Sequence, residues 1–231
     1  MKTVVITGAN RGIGLGFTSS YLKQGWCVIA LTRNGLSNEF ISSLSEEKKN
    51  NLLQVNVELD NELSINKAAK SVVGFCKHID LFINNAGVSI DESFGAWTQA
   101  AFIKSYQVNA VAPALLIQAL EYHFNENSKI IQMTSGLASI DQRINPLGPF
   151  DAYGMSKAAV NMLTRRVAKK FESQKITVCA LSPGWVSTDM GGDAAPMNVK
   201  QAIPLLTTTI EQFELSQSGG FFDEEGNEIP W

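Results

Sequence analysis

The chain has 231 residues, with 19 Lys+Arg against 22 Asp+Glu, 45% apolar types and 18% charged types. That composition excludes dominant disorder, which needs low hydrophobicity and high net charge. A net charge of −3 gives no broad field for nucleic acid or an anionic membrane, so neither is expected as a partner.

The pattern alternates strand and helix. Thr3–Thr7 is a short apolar strand ending at Gly8, and 13–23 reads as a helix. Residues 26–32 form a second strand, followed by Leu36, Phe40, Ile41 and Leu44 at helical spacing. Residues 52–57 are a third strand. A helical stripe from Leu63 to Val73 runs up to Cys76, and 79–83 is a fourth strand. A long helical region covers 98–125, then a fifth strand spans 129–134. Residues 152–171 are a long helix and 176–181 a sixth strand. A last helix lies between Asn198 and Phe213, its start blurred by Pro204, and 220–222 is a candidate edge strand.

The strands are β-branched and almost continuously apolar, as strands buried on both faces of a parallel sheet are. Strand–helix alternation then implies right-handed crossovers and an α/β, doubly wound parallel sheet with helices on both faces. One domain over 1–231 is expected. Ligands of such sheets sit beyond the carboxyl ends of the strands, so the residues that follow each strand carry the information. The irregular stretches 136–150 and 188–197 both follow strands and are candidate substrate rims. The apolar run near the N-terminus is too short for a signal-peptide core, and no stretch approaches the ~18 apolar residues of a membrane span. Cys27, Cys76 and Cys179 are scattered and odd in number, without a His/Cys cluster. No metal site or disulfide framework is expected, and buried thiols in a reducing cytoplasm are.

The first turn, Gly8-Ala9-Asn10-Arg11-Gly12-Ile13-Gly14, joins strand to helix. Glycines let the backbone turn sharply and approach a pyrophosphate, which the free N–H groups of a helix N-terminus bind. A merely tight turn would read the same way. The second strand ends in Thr32-Arg33, where an NAD site usually has an acid for the ribose 2′-OH. Arg33, with Thr32 beside it and Arg11 converging from the glycine turn, fits a 2′-phosphate instead; two solvated arginines are the alternative. The reading is NADP(H) over NAD(H).

Tyr153 and Lys157 stand four apart on the long helix and so share a face. Burial alone raises a tyrosine pKa above ~10, so a nearby ammonium has to outweigh it for acid/base work. Ser135 follows the fifth strand, where its hydroxyl can meet a substrate carbonyl. Pro113 cannot donate to the carbonyl of Asn109, and its ring crowds that carbonyl, so a local kink should free it to hold a water on a proton route towards Lys157. A helix that starts near Pro113, with Asn109 as its cap, is the other reading. Asn84-Asn85-Ala86-Gly87 offers small residues and amides where an adenosine ribose would pass. In Ser182–Thr188, the backbone around Pro183, Gly184 and Val186 can bind a carboxamide, and Thr188 can reach a phosphate.

With these residues assembled, the chain resembles the short-chain dehydrogenase/reductase family, in its compact single-domain branch. The resemblance rests on Thr7-Gly-x-x-x-Gly-Ile-Gly14, Asn84-Asn-Ala-Gly87, Asn109, Ser135, Tyr153-x-x-x-Lys157 and Pro183-Gly184. It implies a Rossmann-type fold, a nicotinamide cofactor and an Asn109–Ser135–Tyr153–Lys157 tetrad. In that tetrad Tyr153 is the proton donor and Ser135 positions the carbonyl. Lys157 binds the ribose and lowers the phenol pKa, and Asn109 supports the water relay. Cofactor contacts are expected from Gly8, Asn10, Arg11, Gly12, Ile13, Gly14, Thr32, Arg33, Asn56, Val57, Asn85, Ala86, Gly87, Tyr153, Lys157, Pro183, Gly184, Val186 and Thr188. Pro183-Gly-Trp-Val-x-Thr-Asp-Met-Gly-Gly192 and the Gly220–Trp231 segment look like the C-factor/sniffer-type carbonyl reductases. The activity implied is NADPH-dependent reduction of a small-molecule carbonyl: an aldehyde, ketone or quinone.

Two departures stand out. Asn56 occupies the place of an Asp that contacts adenine, and the interval from Ser135 to Tyr153 is longer than usual. Rival readings are an NADP(H)-binding sensing protein with little turnover, and an alcohol dehydrogenase running oxidatively. The stripe Val108, Val111, Ala112, Leu115, Leu116 and Ala119 suits either deep core or the face of a homodimer or homotetramer. Phe94, Trp97, Leu137, Phe150, Trp185 and Met190 suit either a pocket or ordinary packing. His78 and His123 read as surface residues.

Overall fold

A computed structural model describes residues 1–231. Its centre is a seven-stranded sheet in the order β3-β2-β1-β4-β5-β6-β9, in which every neighbouring pair is parallel. The strands are β1 (Thr3–Thr7), β2 (Cys27–Thr32), β3 (Leu52–Asn56), β4 (Ile79–Asn84), β5 (Phe124–Met133), β6 (Thr177–Leu181) and β9 (Phe221–Phe222). β1, β2 and β6 are buried along their whole length, which accounts for their unbroken apolar sequences. Chain order reverses at β1, between β2 and β4, so the ligand crevice opens at the carboxyl ends of those strands.

Side chains alternate between two cores. Val4, Ile6, Val28 and Ile131 meet α1 (Gly12–Lys23) and α8 (Val199–Gln212) through Phe17, Leu22, Ala202 and Leu206. Val5, Ile29, Phe82 and Ile130 meet α4 (Glu62–Phe75), α6 (Ala112–Leu120) and α7 (Asp151–Phe171) through Ile65, Leu116 and Phe171. Two short helices, α2 (Asn38–Ser42) and α3 (Glu46–Asn50), replace the single helical stretch suggested by Leu36–Leu44. Asn198 starts α8 through a reciprocal capping box with Gln201, which settles the start that Pro204 blurred.

The expected helix over 98–125 is built in three parts. α5 (Gln99–Tyr106) passes through a π turn at Gln107–Val111 into α6, and a 3₁₀ turn at Glu121–His123 ends the run. The π turn is the kink expected from Pro113, and Asn109 lies inside it rather than at a helix cap. By length and composition the helical run from Gln99 to His123 is long enough to cross a membrane, contrary to expectation. Here its Ala112, Leu116 and Leu120 are fully buried in the core. The apolar stripe divides: Val108, Ala112 and Leu116 are buried, whereas Val111 is 46% exposed.

β5 begins at Phe124, five residues before the expected start. Phe124 pairs with Ile79, but the next pair is Leu81 with Lys129, so the intervening residues bulge, with Asn127 at φ +67°. Asn125-Glu126-Asn127-Ser128 concealed the strand behind a polar run. The Phe124 ring packs 6.0 Å from Phe82 and 5.9 Å from Phe171. A small parallel pair, β7 (Val186–Ser187) with β8 (Met197–Asn198), pins both ends of the loop that looked irregular.

Close packing between β1 and α1 depends on Gly14. A Cβ there would strike the Gly8 carbonyl oxygen and lie 2.6 Å from Asn85 Nδ2. Gly14→Ala should therefore lower the unfolding free energy by about 2–3 kcal/mol. Gly74→Ala in α4, where nothing lies within 4 Å, should raise it by about 0.5–1 kcal/mol. Urea denaturation of the two variants reads the contrast directly.

Candidate active site

Tyr153 lies in the first turn of α7 and Lys157 one turn further on. The Lys157 ammonium sits 5.7 Å from the centroid of the Tyr153 ring. It donates to the Met133 carbonyl at the end of β5 at 2.8 Å. Gly87, after β4, forms the opposite wall: a Cβ there would be 3.4 Å from Lys157 Nζ and 3.3 Å from Asn109 Oδ1. Ser135 follows β5 in extended conformation, and its hydroxyl accepts the Leu137 N–H at 3.2 Å. The Gly136 N–H donates to Ser182 Oγ, tying the loop after β5 to the loop after β6. Tyr153, Lys157 and Ser135 thus converge at the carboxyl edge of the sheet.

The Asn109 side chain has a positioning role. Its amide donates to the Val88 carbonyl and to Ser156 Oγ, and its oxygen accepts the Val88 N–H, all at 2.8–2.9 Å. Ser156 in turn donates to the Tyr153 carbonyl at 2.6 Å. One amide therefore clamps the loop after β4 to the start of α7. Ser156 escaped the sequence reading because it does not share the Tyr153–Lys157 face. Its only signal was adjacency to Lys157.

Burial dominates the electrostatics. It pushes the Tyr153 phenol up to about 12, with the Ser135 hydroxyl opposing it, and pushes Lys157 down to about 8. The expectation that the ammonium outweighs burial at the phenol is not met in the protein alone. Lys157 is itself desolvated and points its N–H bond at Met133.

The glycine turn fits a pyrophosphate. Gly8 and Gly12 have φ of +64° and +51°, conformations that favour glycine. Arg11 occupies the N-cap of α1 without a side-chain hydrogen bond, and the first turn of α1 holds no acid. The helix N–H groups are left for an anion. Asn10 and Ile13 are partly exposed in the same turn.

Several expected contacts are otherwise engaged. Asn85 Nδ2 donates to the Thr7 carbonyl at 2.9 Å, and the Ala86 N–H donates to Thr7 Oγ1, so Asn85 stitches the β4 loop to the glycine turn. The Thr32 hydroxyl accepts the Gly35 N–H at 2.8 Å, closing the turn after β2 instead of facing a ligand. The Val57 N–H donates to the Thr32 carbonyl and its side chain is buried, whereas Asn56 is exposed. Arg33 is exposed and lines one groove with Asn56, Val57 and Lys67. Arg11 does not turn towards Arg33: its guanidinium meets Asp189 at 2.6 Å. Thr188 caps its own turn by accepting the Gly191 N–H, and its methyl faces Gly12. Val186 is buried in the β7–β8 pair. Gly184, at φ +73°, packs against the Glu224 carboxylate, and Pro183 beside it is partly exposed.

Phe94 is 84% exposed and stacks edge-on to Trp97, and Trp185 is 56% exposed. The long loop after Ser135 is anchored by the C-terminal residues: Ser139 Oγ donates to the Pro230 carbonyl and the Asp141 N–H to the Trp231 carbonyl.

Residues 2–198 match the family model of the short chain dehydrogenases. The chain is 32% identical to C-signal of Myxococcus xanthus, over 66% of this chain and 93% of that protein. Its fold superposes on a crystal structure of NADPH-bound carbonyl reductase from chicken fatty liver with a TM-score of 0.91 and 32% identity, covering 100% of this chain and 99% of that one. The carbonyl reductase Sniffer of D. melanogaster matches with a TM-score of 0.89 and 28% identity, over the whole of both chains.

The Lys157 shift predicts a pH signature. Between about pH 8 and 10.5 the unfolded chain holds a proton on Lys157 that the folded chain has released. The Lys157 contribution to stability therefore rises with pH across that window. Lys157→Met should remove this rise, so denaturation curves of variant and wild type, taken without ligand from pH 7 to 10, should converge as pH increases.

Proposed function

The chain belongs to the short-chain dehydrogenase family, and from that premise we propose that it is an NADPH-dependent reductase of small, partly apolar aldehydes, ketones or quinones. The observation that carries this reading is the convergence of Tyr153, Lys157 and Ser135 at the same edge of the sheet as an uncapped, acid-free glycine turn. The family resemblance assigns the roles, and bound NADPH supplies the hydride. Ser135 holds the substrate carbonyl oxygen by a hydrogen bond. Tyr153 donates its phenolic proton to that oxygen as negative charge develops there. Lys157, held rigid by Met133 and Gly87, stabilises the resulting phenolate and returns a proton to it. A phenol held near 12 is protonated at neutral pH, the state required of a donor. Phe94, Trp97 and Trp185 are exposed and are the candidate lining for an apolar substrate.

Preference for the 2′-phosphate rests on Arg33. No acid follows β2 to repel a phosphate, and the guanidinium is exposed beside Asn56. Arg11 is a weaker candidate because Asp189 already neutralises it.

Two variants test the reading. Tyr153→Phe should lower kcat for carbonyl reduction by about 10²–10⁴-fold and leave NADPH binding, read by fluorescence titration, within a few-fold of wild type; equal rates would remove Tyr153 from the chemistry. Arg33→Asp should weaken NADPH binding by about 10–100-fold and NADH binding far less; equal losses for both would refute the arginine argument.

A further inference from the structure

Beyond β9 the chain doubles back along the strand. Asp223 Oδ1 accepts the N–H groups of Glu225 and Asn227, Glu228 bridges Phe222 in antiparallel fashion, and the Ile229 N–H donates to the Phe221 carbonyl at 2.8 Å. The returning segment carries a ring that touches two elements. Trp231 lies 5.5 Å from the Phe221 ring of β9, and the Arg165 guanidinium of α7 sits over it, 5.5 Å from its centroid. From this anchor two backbone carbonyls reach the long loop after Ser135. Pro230 accepts the Ser139 hydroxyl at 2.7 Å, and Trp231 accepts the Asp141 N–H at 2.9 Å. Ser139, 5% exposed, in turn accepts the Gln142 N–H.

Residues 140–147 of that loop are all exposed, so burial gives them little local stability. Their backbone is nevertheless strained. Arg143 and Asn145 both occupy the left-handed region, at φ +51° and +47°. Non-glycine residues stay there only where surrounding contacts over-determine them. On one side those contacts are the bonds of Ser139, Asp141 and Gln142 just described. On the other, the Gly148 N–H donates to the Asn145 carbonyl and the Glu92 N–H to the Pro149 carbonyl.

Between the two strained residues stands Ile144. A Cβ on Gly136 would lie 3.0 Å from Ile144 Cδ1, so this methyl rests against the residue that follows Ser135. The same short turn, Gly136–Ala138, sets its Leu137 carbonyl against Gly154, the neighbour of Tyr153, where a Cβ would be 3.2 Å away. The loop thus touches the chain beside both groups assigned to the substrate carbonyl. Ile144 is 46% exposed, which leaves apolar surface free next to the Ser135 turn.

We propose that Ile144 is a specificity-determining residue for the carbonyl substrate, and that Trp231, acting through Ser139 and Asp141, is the positioning residue that sets where Ile144 stands. The substrate group that meets Ile144 is apolar, and its size is limited by a side chain whose backbone is held from both ends. The Ile144 role rests on the reductase reading; the clamp does not.

Benzaldehyde and 2-naphthaldehyde probe the size limit. Ile144→Ala should raise the ratio of kcat/KM for the naphthyl over the phenyl aldehyde by about tenfold, and Ile144→Val by less, with NADPH affinity unchanged in both. Trp231→Ala should raise KM for benzaldehyde by about tenfold and leave kcat within about twofold. KM for NADPH should not move, and Trp231→Phe, which keeps a ring on Phe221, should restore most of the loss. Hydrogen exchange without cofactor should quicken over 139–148 in Trp231→Ala, with β6 and the body of α7 unchanged. If that variant fails to fold, Ser139→Ala removes one clamp bond, leaves the ring packing intact and carries the same expectations. A naphthyl-to-phenyl ratio within twofold of wild type in Ile144→Ala overturns the specificity role. Exchange that quickens across β6 and α7 as well, with both KM values unmoved, means a purely structural tryptophan and overturns the positioning role. A wild-type protein that neither binds NADPH nor reduces either aldehyde would sink the reductase reading and the Ile144 role with it, while exchange over 139–148 still decides the clamp.

Discussion

A buried ammonium needs fixed acceptors and close walls, and Lys157 sets that demand for the whole site. Its charge cannot be solvated by bulk water, so neighbouring backbone has to be brought to it and held. β5 supplies the Met133 carbonyl. The loop after β4 approaches closely because Gly87 has no side chain. Asn109 fastens that loop at Val88 and, through Ser156, fastens the first turn of α7 that carries Tyr153. Loosening any one of these would let water reach the ammonium, lift its pKa and move the phenol.

The opposite wall of the crevice has a comparable division of labour. The glycine turn remains open to an anion because nothing caps α1. Its neighbours close in around it: Asn85 and Ala86 bind Thr7, the Thr188 methyl covers Gly12, and Arg11 reaches Asp189 on the loop beyond β7. The exposed Arg11–Asp189 pair adds little stability on its own account. It links the glycine turn to the loop that the short β7–β8 pair closes. Side chains expected to touch a ligand, such as Asn85 and Thr32, instead hold the backbone of the glycine turn and of the turn after β2.

Legibility in the sequence followed range. Strand identity was readable because burial on both faces leaves a local apolar signature, as in Val4-Val5-Ile6 or Val28-Ile29-Ala30. The Tyr153–Lys157 face and the Pro113 kink were readable because helical periodicity and a missing N–H are local facts. Phe124 was misread because the bulge it enters is dictated by pairing with Ile79, far away in sequence. The contacts of Ser156, Thr7 and Asp189 were not legible for the same reason: each acquires its role from a partner on another element.

The chain by itself determined the alternation of elements, the positions after each strand that carry chemistry, and the family. All of these are written in residue types at short spacing. Only the tertiary structure decided which hydroxyls and amides remain free and which close turns, where the Arg11 charge goes, and that burial sets both Tyr153 and Lys157 away from their ordinary pKa values. Hydrogen-bond partners and desolvation are properties of surroundings assembled from distant segments, and no local pattern encodes them.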